Sequence, residues 1–239
     1  MSNIPLAERL RPKTIDEYIG QEHLVGPNGV FRKFFETGNV PSFILWGPPG
    51  VGKTTLAKIV ATQLERPFFT LSAVTSGVKE VREVIESARK SRFFDQRPPF
   101  LFIDEIHRFN KSQQDSLLGA VEQGIVTLIG ATTENPSFEV IPPLLSRCQV
   151  YILRPMEDAD LQKFLDRALE KDPELHSRDI EMRETGALFR FSGGDARKLL
   201  NILDIVVGAT DGKVTITDQY VTDCLQQNIA LYDKQGEQH

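Results

Sequence analysis

Gly47-Pro48-Pro49-Gly50-Val51-Gly52-Lys53-Thr54 stands between the apolar run Phe43-Ile-Leu-Trp46 and the helical pattern Leu56-Ala-Lys-Ile-Val-Ala61. The spacing is GxxxxGK[ST], with a strand-like run before it and a helix after it, the context in which such a loop grips phosphate. Its glycines let backbone N–H groups turn inward around phosphate oxygens, and the helix that follows adds its positive N-terminal end. The pattern assigns Lys53 to the β- and γ-phosphates, the Thr54 hydroxyl to Mg²⁺, and Thr55 to the same nucleotide site. The competing reading, a glycine-rich turn that merely joins strand to helix, leaves the agreement of both flanks unexplained.

Outward from this loop, four more short apolar runs follow: Pro67-Phe-Phe-Thr-Leu71, Phe100-Leu-Phe-Ile103, Val126-Thr-Leu-Ile129 and Val150-Tyr-Ile-Leu153. Runs apolar on both faces suit parallel strands covered on both sides. Helical patterning separates them, with Val78, Val81, Ile85 and Ala88 on one face and Leu117, Leu118 and Val121 on another. Pro142-Pro143 opens a further short helix, because proline is tolerated in a first turn. The alternation predicts an α/β fold of the P-loop NTPase kind: a parallel five-stranded sheet with helices on both faces. Before it, the first 40 residues read as an irregular lead-in with a short helix around Phe31 to Thr37. After Arg154-Pro155 the texture turns helical, through Leu161, Phe164, Leu165 and Ala168, then Leu188 and Phe191, then Leu199, Leu200, Leu203 and Val207. Only Val214-Thr-Ile216 there is strand-like, so a small all-α lid domain is expected. The expected division is a nucleotide-binding core over 1–153, a lid over 154–228, and a polar tail over 229–239.

The third run ends in Asp104-Glu105. An aspartate at a strand tip holds the Mg²⁺ shell, largely through water, and an adjacent glutamate orients or activates water for attack on the γ-phosphate. Two acids at a strand end facing solvent are the plainer alternative. A small-molecule kinase has no need of a water-activating glutamate there, so the pair favours hydrolysis.

Composition narrows the class further. A chain of 239 residues allows one large domain or two small ones, and hides roughly 70 % of its unfolded surface. With 40 % apolar and 26 % charged residues it is neither disordered nor collagen-like. No apolar run reaches the ~18 residues of a membrane span, and Met1 to Gly20 has no secretory h-region. Cys148 and Cys224 are too few for a disulfide framework and lack zinc spacing. The expectation is a cytosolic, reduced protein with no membrane partner. The net charge is −5: 17 basic against 16 acidic residues through Leu153, and 11 against 17 after it. A dedicated DNA-binding domain shows a basic excess. Its lack votes weakly against nucleic acid, although the acidic second part also suits a lid that never meets DNA.

Gly47 to Thr54 followed by Leu101-Phe-Ile-Asp-Glu105 resembles the AAA+ ATPases, and further motifs fall in that family's order. Arg11-Pro12 and Tyr18-Ile19-Gly-Gln21 look like its N-terminal adenine-binding segment, and Thr132-Thr133 looks like sensor 1. Ser146-Arg147-Cys148 matches the SRC motif of clamp loaders, whose arginine acts in trans as a finger into a neighbouring subunit. Gly194-Asp-Ala-Arg197, opening a helix of the second part, looks like sensor 2. Two longer segments, Ile103-Asp-Glu-Ile-His-Arg-Phe-Asn-Lys-Ser-Gln-Gln-Asp115 and Ile129-Gly-Ala-Thr-Thr-Glu-Asn-Pro-Ser-Phe138, resemble the replication-associated recombination protein A family. The Werner-helicase-interacting protein is its eukaryotic relative. The resemblance covers nearly the whole chain.

It implies a DNA-dependent ATPase using ATP/ADP and Mg²⁺ for replication-fork maintenance, recombination and repair. It also implies a homo-oligomer, DNA and replication-fork proteins such as single-strand-binding protein as partners, and a cytoplasmic, nucleoid-associated location. A clamp-loader-like subunit and a branch-migration motor are the alternatives within the class; an ATP-gated scaffold is the alternative outside it. Family members continue well past Tyr232-Asp-Lys-Gln-Gly-Glu-Gln-His239, so the chain is expected to be incomplete.

The remaining residues carry open readings. Arg147 precedes the fifth strand, where a surface ion pair is the alternative to a finger. Arg197 at a helix start conflicts with the helix dipole, which either a phosphate or Asp195 would relieve. Thr133, with Thr132 or Asn135 as substitutes, is the candidate to position the attacking water, and Ser72 a candidate gate on Glu105. Arg108 and Lys111 either face DNA or form a solvated helix cap. His107 has no partner at metal spacing and reads as a packing or loop residue; Phe68-Phe69 and Phe93-Phe94 read as core.

Overall fold

The computed structural model describes residues 4–91 and 97–226. Phe93 and Phe94 lie outside them, as does the polar tail. Within the described residues, Pro12–Arg154 form one compact unit, and the residues up to Arg11 join those from Pro155 onward in another.

The first unit is built on a five-stranded sheet, parallel throughout: β1 (Phe43–Trp46), β2 (Phe68–Ser72), β3 (Phe100–Asp104), β4 (Thr127–Thr132) and β5 (Gln149–Ile152). The order is β2-β3-β4-β1-β5. Burial follows position in the sheet. Every residue of central β4 is buried, whereas edge strands β2 and β5 are largely half-buried or exposed. Consecutive residues of β1 enter different cores, as the two-residue strand period requires. Phe43 meets Phe31, Phe34 and Tyr151 at centroid distances of 5.5, 6.2 and 5.7 Å. Ile44 joins Leu101, Ile103, Leu128 and Val81 in the main cluster, with Leu117 and Ala120 from the helix Lys111–Glu122. Phe69 packs against the same cluster and Phe68 stacks on Phe102. The fourth apolar run is longer than its sequence suggests. β4 continues through Gly130, Ala131 and Thr132, small residues that sit buried between β1 and β3. That extension brings Thr132 to the strand tip.

The second unit contains the helices Asp158–Lys171, Pro173–His176, Gly186–Ser192 and Ala196–Gly208, and residues 218–226 are also helical. It also carries a two-stranded parallel sheet, β6 (Ile180–Met182) with β7 (Val214–Ile216). The strand-like Val214–Ile216 therefore has a partner, and the unit is helical with a small sheet rather than helices alone. The three half-buried residues of β6 give too short a run to stand out in sequence.

The N-terminus departs from the expected division. Residues up to Arg11, expected in the core over 1–153, belong to the helical unit. Leu6 is fully buried there, and Arg9 grips Asp172 with two bonds, Nε to Oδ2 at 2.7 Å and Nη2 to Oδ1 at 3.0 Å. Asp172 is 1 % exposed and also accepts from the Leu175 N–H at 3.1 Å. Burial pushes the Asp172 carboxyl up, but Arg9 and backbone N–H groups outweigh it and hold the group below the usual carboxylate range. An acid depressed in the folded state stabilises it above its unfolded pKa, and that stability is lost as pH falls through the folded value. Arg9→Ala is therefore expected to destabilise the helical unit by about 1.5–3 kcal/mol at pH 7, since it removes the charged partner of a buried carboxylate and leaves it only backbone N–H groups. Urea unfolding checks this, and the deficit should shrink below the carboxylate range. A deficit independent of pH would show that lost packing, not charge, is responsible. Among the described residues no helix is long and apolar enough to cross a membrane.

Candidate functional site

The loop Gly47–Thr54 leaves the C-terminal end of β1, which lies between β4 and β5, and enters the helix Lys53–Gln63. Loops at the carboxyl ends of parallel strands, where the strand order reverses, are the ligand-binding edge of such sheets. Gly50 and Gly52 have φ of 74° and 97°, the left-handed region that side chains resist. A Cβ on Gly52 would also stand 2.4 Å from the Tyr18 hydroxyl oxygen. That hydroxyl donates to Val51 O at 2.9 Å, and burial pushes the phenol pKa up, so Tyr18 acts as a neutral brace behind the loop. Ile19 is buried next to it. Gln21, in left-handed backbone, exchanges two bonds with the Arg154 backbone: its Nε2 donates to Arg154 O at 2.7 Å and its Oε1 accepts from Arg154 N at 2.8 Å. The sequence quotes Gln21 in a motif without showing this clamp.

Lys53 is 7 % exposed, and its Nζ donates to Gly47 O at 2.7 Å and Pro48 O at 2.8 Å. The ammonium is thus held within the loop by backbone carbonyls. Pro49 completes that turn between Pro48 and Gly50. Thr54 and Thr55 occupy the first turn of the helix. The Thr54 hydroxyl and the Asp104 carboxylate at the end of β3 are the hard oxygen donors that suit Mg²⁺. Left-handed glycines running into a helix N-terminus suit phosphate. The residues present therefore fit Mg–nucleotide. Among the described residues no group of three His, Cys, Asp or Glu could hold a metal ion.

Glu105 follows Asp104 with φ 53° and ψ 49°, left-handed for a residue with a side chain, at a cost of about 1–2 kcal/mol. A 3₁₀ turn, Ile106–Arg108, follows, and Arg108 N donates to Glu105 O at 2.8 Å. Two groups meet the Glu105 carboxylate, one from this turn and one from the end of β4. Thr133 Oγ1 donates to Oε2 at 3.4 Å, and His107 Nδ1 is 3.2 Å from the same oxygen. Thr132 Oγ1, fully buried, is 3.0 Å from His107 Nδ1. The three sensor 1 candidates thereby separate: Thr133 touches Glu105, Thr132 reaches it through His107, and Asn135 caps the short helix Pro136–Glu139 at Ser137 N. Two readings need correction. His107 is not a bystander, because it lies against the carboxylate. Ser72 pairs in register with Asp104, but its hydroxyl accepts from Val74 N at 3.4 Å rather than meeting Glu105.

Elsewhere the candidates divide. Arg147 follows the short helix Pro142–Leu145, donates to Pro143 O at 2.8 Å and pairs with Glu122. The neighbouring Cys148 thiol is pushed up to about 12 by burial and is no nucleophile at neutral pH. Arg108 and Lys111 are exposed, without an ion pair among the described residues, before and after Asn110, whose side chain forms a capping box with Gln113. Buried Gln114 joins Phe109 O and Glu139 O to Ile141 N. In the other unit, Arg197 is exposed at the start of Ala196–Gly208, while Asp195 caps Lys198 N at 3.0 Å. Arg11 belongs to that unit and pairs with Glu8; Pro12 begins the first unit.

Residues 43–156 match the ATPase family associated with various cellular activities (AAA), and residues 175–239 match the AAA C-terminal domain. The chain is 44 % identical to replication-associated recombination protein A of Haemophilus influenzae over 98 % of its own length and 53 % of that protein. The chain belongs to the AAA+ ATPase family. Within it, the chain falls in the replication-associated recombination protein A branch, which reaches the ATPase WRNIP1 of Dictyostelium discoideum at 42 % identity over 98 % of this chain and 29 % of that one. The AAA+ fold recurs in the RuvB Holliday junction branch migration motor of Thermotoga maritima, with TM-score 0.72, 29 % identity, and coverage of 91 % of this chain and 72 % of that chain. The chain spans about half the length of the bacterial relatives it matches. As an AAA+ member it is a nucleotide-binding ATP hydrolase.

Proposed function

We propose that the chain binds Mg–ATP at Gly47–Thr54, hydrolyses it through Glu105, and couples hydrolysis to remodelling DNA at replication forks. The observation that carries this reading is the Glu105 carboxylate at the tip of β3, next to Asp104 and bonded by Thr133. Lys53 exchanges its carbonyl partners for phosphate oxygens, and the loop N–H groups hold the rest of the triphosphate. Thr54 and Asp104 would hold Mg²⁺, which would supply charge neutralisation for the phosphates. Glu105 accepts a proton from water and aims it at the γ-phosphorus, with Thr133 fixing the carboxylate. Charge then spreads over the γ-oxygens, and a neighbouring protomer's Arg147 stabilises it.

The names of the relatives support a role in replication-associated recombination. DNA, a homo-oligomer, single-strand-binding protein at the fork and a nucleoid location belong to the same proposal. Arg108 and Lys111 offer exposed cations immediately after Glu105 for a DNA contact that reports to the site. Steady-state hydrolysis with and without forked DNA tests the reading. Reversing both charges, Arg108→Glu with Lys111→Glu, is expected to abolish DNA stimulation while sparing basal turnover. Stimulation equal to that of the unchanged chain would remove these residues from the DNA surface. A second reading, a branch-migration motor, is favoured by the RuvB likeness. It predicts stronger stimulation by four-way junctions than by forks.

A further inference from the structure

His107 Nδ1 faces two oxygens, Thr132 Oγ1 at 3.0 Å and Glu105 Oε2 at 3.2 Å. Thr132 Oγ1 has one hydrogen and donates it to Glu134 O at 3.1 Å, while accepting from Glu134 N at 3.0 Å. What the hydroxyl presents to His107 Nδ1 at 3.0 Å is therefore a lone pair. A hydrogen on Nδ1 then serves two acceptors, Thr132 Oγ1 at 3.0 Å and Glu105 Oε2 at 3.2 Å. The His107 side chain is 14 % exposed and that of Glu105 30 %, so water competes weakly for this bond. Glu105 and His107 reach one another because the left-handed Glu105 turns the chain straight into Ile106–Arg108. A strained backbone persists only where its surroundings hold it.

We propose that His107 is a positioning residue for the hydrolytic glutamate. Its Nδ1–H, shared between Thr132 on β4 and Glu105 after β3, pins Oε2 and leaves Oε1 to meet the attacking water. The orientation of Glu105 then depends on the tip of β4 through two neighbours, Thr133 directly and Thr132 by way of His107. A substrate-induced shift of either strand tip would re-aim the carboxylate. The inference rests on Glu105 being the residue that activates water.

The test exploits the geometry of the two ring nitrogens. An asparagine amide nitrogen occupies the place of Nδ1, whereas a glutamine amide nitrogen occupies that of Nε2. His107→Ala removes a hydrogen bond to a charged group and is expected to lower kcat about 10–100-fold. KM and the melting temperature should stay close to their original values. His107→Asn should recover most of the loss and His107→Gln should not. Wild-type turnover by His107→Ala, or equal rescue by Asn and Gln, would overturn the proposal. If the alanine variant fails to fold, the Asn and Gln pair still decides. The reading of Glu105 is judged separately, by loss of turnover in Glu105→Gln. A readout without catalysis is the ¹⁵N spectrum of His107, which should show a protonated Nδ1 whose shift responds to Glu105→Gln. A proton on Nε2 alone would sink the assignment.

Discussion

Glu105→Gln is expected to lower ATP turnover by ~10²–10⁴-fold while ATP still binds, the range that positioned acid–base groups contribute. The substitution is close to isosteric. The amide oxygen still accepts from Thr133 Oγ1 and from His107 Nδ1, so the left-handed turn and the strand-tip network survive. What goes is the ability to take a proton from water. The loop Gly47–Thr54 is untouched, because Lys53 and Tyr18 hold it through Gly47, Pro48 and Val51. Titration with a fluorescent ATP analogue should therefore give an affinity within a few-fold of the original. A parallel Lys53→Ala variant should instead lose binding, since that ammonium is the buried cation of the loop. Substantial turnover by Glu105→Gln would mean that water is activated elsewhere in the site.

What the sequence made legible was local. The loop Gly47–Thr54 and the pair Asp104–Glu105 are short runs whose residue types and flanks state their chemistry, and both lie at the strand tips where that chemistry needs them. β3 is one apolar stretch, so its end, and hence Asp104, could be read directly. The tip of β4 was harder, because Gly130-Ala131-Thr132 is buried by its neighbours rather than by its own hydrophobicity. His107 was illegible for a different reason. Its partnership with Glu105 depends on a positive φ at a glutamate, and no residue type announces that conformation. Gln21 is a similar case, a left-handed residue whose amide imitates a strand neighbour for Arg154. The placement of the N-terminus was non-local altogether. Arg9 and Asp172 are separated by 163 residues, and no pattern on either side of Arg9 names its partner.

Arg147→Ala is expected to reduce hydrolysis in the assembled protein by ~10³-fold or more, the range of arginine fingers supplied in trans. The isolated protomer should show no change in ATP affinity. Within its own chain Arg147 is held by Glu122 and by Pro143 O, with both side chains of the ion pair 41 % exposed. A pair so exposed is worth about 0–1 kcal/mol, so handing the guanidinium to a neighbour's phosphate meets little resistance. Charge on the transferring group is the stronger partner, since it is concentrated where water is being excluded. Loss of activity alone does not separate action in trans from damage in cis, but mixing does. Arg147→Ala protomers keep Glu105, and Glu105→Gln protomers keep Arg147. In a head-to-tail ring, a random equal mixture of the two builds complete sites at about one quarter of its interfaces. Two nearly inactive preparations should thus regain roughly that fraction of the original turnover on mixing. If the arginine served its own protomer's site, each protomer would carry one broken site and mixing would restore nothing. Recovery therefore depends on the finger crossing the interface, whereas continued inactivity in a verified mixed ring would confine Arg147 to its own chain.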